Sequence, residues 1–167
     1  ALTNIKDSNP DVLYVPGYYE EVGLIVKQAR ELGIDVPVIG GDGYDSPKLA
    51  DLAGKDALNN VFFTNHYSSK DTTKEVVEFK EAFKKEYKKD PNAFNALGYD
   101  LAYFLKDALQ RAGEADPIKL KDALASTKGF KGITGELSID KHHNPVKSIT
   151  IIEMKDGEQT FLKKQQP

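Results

Sequence analysis

The stretch VLYVPGYYEEVGLIVKQARELGIDVPVIG (residues 12–40) decides the fold class. Val12, Leu13, Tyr14 and Val15 form an unbroken apolar run, the mark of a short strand buried on both faces. Pro16 and Gly17 break it. From about residue 20 to residue 32, Val22, Ile25, Val26, Ala29 and Leu32 recur on one face at helical spacing. Glu20 and Glu21 in the first turn and Arg30 in the last suit the helix dipole, and Gly33 fits the position just past the end. Val36, Pro37, Val38, Ile39 and Gly40 then read as a second strand. Strand, helix and strand in so short a span imply two parallel strands joined by a crossover, and hence an α/β fold.

Working outward, Leu2 and Ile5 suit one helical stripe, closed by the turn residues at 8–11. Downstream, Ser46 as N-cap, Pro47 at the first position, Leu49, Leu52 and the stop Gly54 predict a short helix. Residues 60–64 read as a third strand. The polar segment HYSSKD (residues 66–71) reads as a linker or hinge. Three helices follow. The first, over about 74–87, carries a core stripe of Val76, Phe79, Phe83 and Tyr87, with lysines and glutamates on the other faces. The second, over about 94–112, carries Leu97, Leu101, Phe104, Leu105, Ala108 and Leu109 and closes at Gly113. The third, over about 117–126, is capped by Asp116 ahead of Pro117. Residues 129–147 predict one strand near 135–139 and a tight turn at 141–145. Residues 148–153 and 159–162 predict a final hairpin over 155–157.

Composition narrows the function. The 167 residues are 40% apolar and 29% charged, an ordinary globular mixture. No apolar run reaches the ~18 residues of a membrane-spanning helix. The balance of 23 basic and 26 acidic residues, net −3, argues against a nucleic-acid binder. With no cysteine, disulfides, thiolate zinc sites and cysteine nucleophiles are excluded. No signal peptide stands at the start. ALTNIKDSNPD (residues 1–11) reads instead as the end of a helix, so the chain is expected to begin part-way through a fold.

In an open parallel sheet, ligands bind at the carboxyl ends of strands. Two segments qualify, PGYYEE (residues 16–21) and GDGYDS (residues 41–46). Both begin with breakers that let backbone approach a ligand closely. If the two strands pair, Tyr18, Tyr19, Asp42, Tyr44 and Asp45 are neighbours. A carboxylate beside tyrosine faces suits an ammonium group, through charge-assisted hydrogen bonds and cation–π attraction. The plainer alternative is an Asx turn at Asp42 with tyrosines packed as amphipathic lids. Gly40, Gly41 and Gly43 match neither a phosphate-binding loop nor a dinucleotide fingerprint. The adjacent His142 and His143 predict a solvated turn with Asp140 and Asn144 rather than a metal site. No G-x-S-x-G elbow is present. No catalytic residue, metal or cofactor is expected.

Taken in order, four stretches carry a resemblance: NPDVLYVPGYYEEVGLIVKQARELGIDVPVIGGDGYDS, NNVFFTNHYS, FKEAFKKEYKKDPNAFNALGYDLAYFLKDAL and FKGITGELSIDKHHNPVKSITIIEMKDG. Together they resemble the periplasmic branched-chain amino-acid-binding proteins of ABC importers, in the type I periplasmic-binding fold. The resemblance implies parts of two Rossmann-like lobes, with parallel sheets and flanking helices, that trap an amino acid by hinge closure. Residues 1–66 and 148–167 would belong to the C-terminal lobe, incomplete here, and 69–146 to the N-terminal lobe. Crossovers would lie near 66–69 and 146–148. It assigns the first-loop aromatic to Tyr18, the acidic group for the ligand's α-ammonium to Asp42, and an aromatic of the opposite lobe to Phe94. Tyr19 and Tyr44 are second choices. Many relatives carry glutamate at the position of Asp42, which shortens the reach toward the ligand here.

The resemblance implies that the carboxylate-binding segment lies in a first half expected to precede this stretch of sequence. The implied partners are a small amino acid, a complementary N-terminal half or a domain-swapped copy of this chain, and the ABC permease of the complete protein. The implied location is periplasmic or extracytoplasmic, with a lipoprotein parent compatible. Two alternatives share the fold: a ligand-sensing regulatory domain, and an engineered split or truncated binding-protein fragment.

Overall fold

The computed structural model describes residues 1–167. Helix α1 (Leu2–Asp7) leads into β1 (Leu13–Tyr14), α2 (Tyr19–Glu31), β2 (Val38–Gly40), α3 (Lys48–Ala53) and β3 (Val61–Asn65). Three helices follow: α4 (Lys74–Tyr87), α5 (Ala93–Ala112) and α6 (Pro117–Ala125). The chain ends in β4 (Phe130–Gly132), β5 (Gly135–Ile139), β6 (Pro145–Val146), β7 (Ile149–Lys155) and β8 (Glu158–Gln165). These elements fall into two compact units, one of residues 1–65 and 150–164, the other of 66–149 and 165–167. No helix is long and apolar enough to cross a membrane.

In the first unit the sheet order is β1-β2-β3-β7-β8. The β1-β2 pair is parallel, as residues 12–40 demand, β2 and β3 are parallel too, and β7 runs antiparallel to β3. Side chains alternate across the sheet. Leu13, Val38, Val61, Phe63, Ile152 and Met154 are buried in one core with Val22, Val26 and Ala29 of α2 and Leu49 and Ala53 of α3. Gly23 is where α2 and α3 meet, since a Cβ there would stand 2.9 Å from the Leu52 Cβ. The register places Tyr14, Ile39, Phe62 and Glu153 in one row on the opposite face. There Tyr14 is 71% and Ile39 41% exposed.

In the second unit β4, β5 and β6 form an antiparallel sheet. A smaller core gathers Tyr67, Val76, Phe79, Ala93 and Ala96, with Phe83 and Ile133 against it. The sequence predicts one strand between residues 129 and 147, whereas three form there. The two extra strands are three and two residues long, too short for any local periodicity to mark them. The helical stripe predicted on α5 is buried only in part: Ala108 is buried and Leu97 and Phe104 are half-buried. Ala93, Ala96, Asp100 and Ala108 are buried, while Leu101, Leu105 and Leu109 stand exposed. Ala93 and Ala96 pack with Val76 and Phe79 of α4, and Leu101, Leu105 and Leu109 are left facing outward. At α3 the helix starts one residue later than predicted, and the Ser46 hydroxyl accepts from the Lys48 amide at 3.2 Å.

Candidate functional site

Both predicted loops leave the carboxyl ends of parallel strands in the first unit. Residues 16–18 connect β1 to α2, and residues 41–44 follow β2, with Asp42–Tyr44 forming a single 3-10 turn. Tyr18 is extended backbone at the N-cap of α2, and its side chain is 63% exposed. Tyr19, the first residue of α2, is half-buried and packs on the core, lining an open hollow with Glu20, Leu24 and Lys48. Asp42 is half-buried, and its carbonyl accepts from the Asp45 amide at 3.1 Å. Tyr44 is fully buried. Its ring lies 5.6 Å from the Phe63 ring, and its hydroxyl donates to the Val15 carbonyl at 2.6 Å. Burial pushes the Tyr44 phenol above its usual range, so it remains a donor at any physiological pH.

The two loops touch through glycine. A Cβ on Gly43 would stand 2.5 Å from the Gly17 carbonyl oxygen and 3.2 Å from the Tyr18 Cα. A Cβ on Gly40 would run into the Tyr44 ring. The sequence expects the breakers that begin the two loops, Pro16-Gly17 and Gly41, to give a ligand close access to the backbone; at the neighbouring Gly40 and Gly43 the space is taken by protein. Gly41 alone of this group opens onto free space. The Asp45 carboxylate accepts from the Gln159 amide at 2.6 Å, which fastens the far end of the turn to β8.

Phe94 lies in the other unit, in the first turn of α5, and is 40% exposed. The turn is held by a capping box. The Asn92 side chain accepts from the Asn95 amide at 3.2 Å, and the Asn95 side chain accepts from the Asn92 amide at 3.1 Å.

Sequence reasoning missed the polar centre of this second unit. The buried Asp100 carboxylate accepts from the Ile133 and Thr134 amides at 2.8 and 2.9 Å and from the Thr134 hydroxyl at 2.6 Å. Lys147 in turn donates to the Thr134 hydroxyl at 2.6 Å. The turn between β4 and β5 thus hangs on one helical carboxylate. The available signal was a charged residue at helical spacing from Ala93 and Ala96. The Asp140 turn is of another kind. Its exposed carboxylate accepts from the His142 and Asn144 amides, both at 2.8 Å, and the Asn144 bond leads in holding it below the usual carboxylate range. No group of three or more His, Asp or Glu side chains is placed to hold a metal ion.

Residues 1–159 match the family described as periplasmic binding protein. The chain belongs to that family. The periplasmic-binding-protein fold is also that of two solved structures covering 99% of this chain. One is a leucine-binding protein LivK from Thermotoga maritima, 37% identical with a TM-score of 0.89. The other is LivJ, a branched-chain amino acid transporter substrate-binding protein from Streptococcus pneumoniae, in complex with isoleucine, 35% identical with a TM-score of 0.85. A curated relative, the Leu/Ile/Val-binding protein homolog 1 of Brucella suis, is 29% identical over 146 residues, or 86% of this chain. The chain spans 38% of that relative and 47% of each of the two solved chains, less than half their length.

Proposed function

We propose that this chain is the C-terminal part of an extracytoplasmic solute-binding protein that captures a small amino acid, branched-chain or related, for an ABC importer. The observation that carries the reading is the meeting of the Tyr18 and Asp42 loops at the carboxyl ends of two parallel strands. A carboxylate suits the ligand's α-ammonium, and Tyr18 offers an exposed aromatic face beside it. Phe94 is the apolar contact assigned to the other unit. In this reading the two units are parts of two lobes, residues 1–66 with 148–167 and residues 69–146, and the chain crosses between them near 66–69 and 146–148. The complete protein's remaining half supplies the carboxylate-binding groups, covers the open faces of this chain and joins it in docking to the permease. Without that half, a second copy of the chain takes its place.

Titration calorimetry on the complete protein with leucine, isoleucine and valine tests the role of Asp42. Removing the charged partner of an ammonium leaves that group desolvated and unpaired, a loss of about 2–4 kcal/mol. Asp42→Ala is therefore expected to weaken whichever of the three binds by roughly 30-fold to 1,000-fold. Wild-type affinity in that variant would sink the reading.

A further inference from the structure

We infer that Tyr44 is a positioning residue that locks the 16–18 and 41–44 loops into one rigid unit, so that a ligand meets a preformed surface on this side. The inference rests on the reading of Asp42 and Tyr18 given above, and it concerns a residue that touches no ligand in that reading.

Four contacts converge on this tyrosine. Its ring is fully buried against Phe63 and fills the space over Gly40, where any side chain would collide with it. Its hydroxyl donates to the carbonyl of Val15, the last residue before Pro16. The Val15 amide itself donates to the Ile39 carbonyl at 2.9 Å, so Val15 is held by the strand pairing on its amide and by Tyr44 on its carbonyl. The Tyr44 amide donates to the Gly41 carbonyl at 3.3 Å, which closes the turn that presents Asp42.

One side chain therefore fixes the residue that launches the Tyr18 loop and the turn that carries Asp42. Gly43 completes the lock sterically, because its missing side chain lets the turn lie directly on Gly17 and Tyr18. Neither loop can shift without breaking the buried hydroxyl bond or opening the Gly43 seat. Pre-ordering of this kind lowers the entropy that a ligand must otherwise remove on binding. The high pKa of the buried phenol means that the bond persists throughout the neutral range.

The test uses the complete protein and two variants that disturb the lock differently. Tyr44→Phe keeps the ring and removes only the hydroxyl, and Gly43→Ala keeps the hydroxyl and breaks the seat. Amide hydrogen exchange of the unliganded proteins is expected to rise in residues 17–19 and 42–45 together, while residues 22–29 of α2 exchange as in wild type. Calorimetry with leucine, isoleucine and valine is expected to show about tenfold weaker binding for Tyr44→Phe, the scale of one buried hydrogen bond. A variant that melts at lower temperature yet keeps wild-type loop exchange and affinity makes Tyr44 an ordinary packing residue and overturns the inference. So does faster exchange confined to one loop. If both loops loosen together while Asp42→Ala binds as wild type, the lock stands and the assignment of Asp42 falls.

Discussion

The Arg30 guanidinium donates to five carbonyl oxygens: Ile34 at 2.6 Å, Val36 at 2.9 Å, Asn59 at 3.0 Å, Ala57 at 3.3 Å and Asn60 at 3.5 Å. Two loops, one entering β2 and one entering β3, are thus closed by a single planar fork. Burial pulls the Arg30 pKa down and the charge of Asp35 opposes it, yet a guanidinium stays protonated under all ordinary conditions. Lysine carries its donors on one nitrogen and cannot span the same oxygens. Arg30→Lys is expected to destabilise the protein by about 1–3 kcal/mol, because several part-buried carbonyls lose their donor. Urea unfolding followed by circular dichroism measures it, and an unshifted midpoint would show that water replaces the fork at no cost. The sequence places Arg30 well, in the last turn of α2, but only as a complement to the helix dipole. Its partners at Asn59 and Asn60 lie 29 and 30 residues away, beyond any local pattern. Tyr44 escapes local reading in the same way, since its hydroxyl partner Val15 is 29 residues distant. Composition marks it as an amphipathic loop tyrosine, whereas the fold buries it whole.

Helix α5 separates what periodicity can and cannot tell. Its existence and C-terminal stop are legible, with Gly113 in the left-handed conformation at φ +78°. Its orientation is not, because two stripes compete along its length and the alanine–aspartate stripe is the buried one. The choice is made by Asp100, which accepts the amides of a turn more than thirty residues later and thereby sets β4 and β5. Strands of three and two residues such as β4 and β6 carry no periodic signal of their own. The parallel β1-α2-β2 unit is the opposite case, since its apolar runs and one helix stripe are written directly into residues 12–40. The expected burial of β1 on both faces does not hold, because Tyr14 stands exposed on one of them, as does Ile39 of β2 beside it. At the start of α5 the capping box fixes the turn that carries Phe94. Asn92→Ala is expected to cost about 1 kcal/mol by freeing the Asn95 amide, and Asn92→Asp to recover most of it. Thermal melts of the two variants decide: equal losses would assign the cost to contacts of the amide nitrogen rather than to the cap.

A parallel sheet is stable when both of its faces are covered, because its connections lie across them and its strands are apolar throughout. In the first unit α2 and α3 share the core with one face, while the row of Tyr14, Ile39, Phe62 and Glu153 lies on the other. Strand β1 is also an edge, with Val12 44% exposed just before it. The second unit repeats the pattern, its small core flanked by exposed Leu101, Leu105 and Leu109 and by an apolar hollow of about 230 Å³ lined by Leu97, Phe104, Phe130 and Leu137. Apolar surface of this extent on α/β elements drives association. Produced alone, the 167-residue chain is expected to run at no less than twice its 18.5 kDa mass in size-exclusion chromatography with light scattering. Tyr14→Lys with Ile39→Lys, which charges the open sheet face and leaves the buried face intact, is expected to shift that distribution toward monomer. A sharp, folded 18.5 kDa peak for the unmodified chain would mean that these faces tolerate water as they stand. An unchanged oligomer in the double variant would move the contact to the α5 leucines, where Leu101→Lys and Leu105→Lys repeat the test.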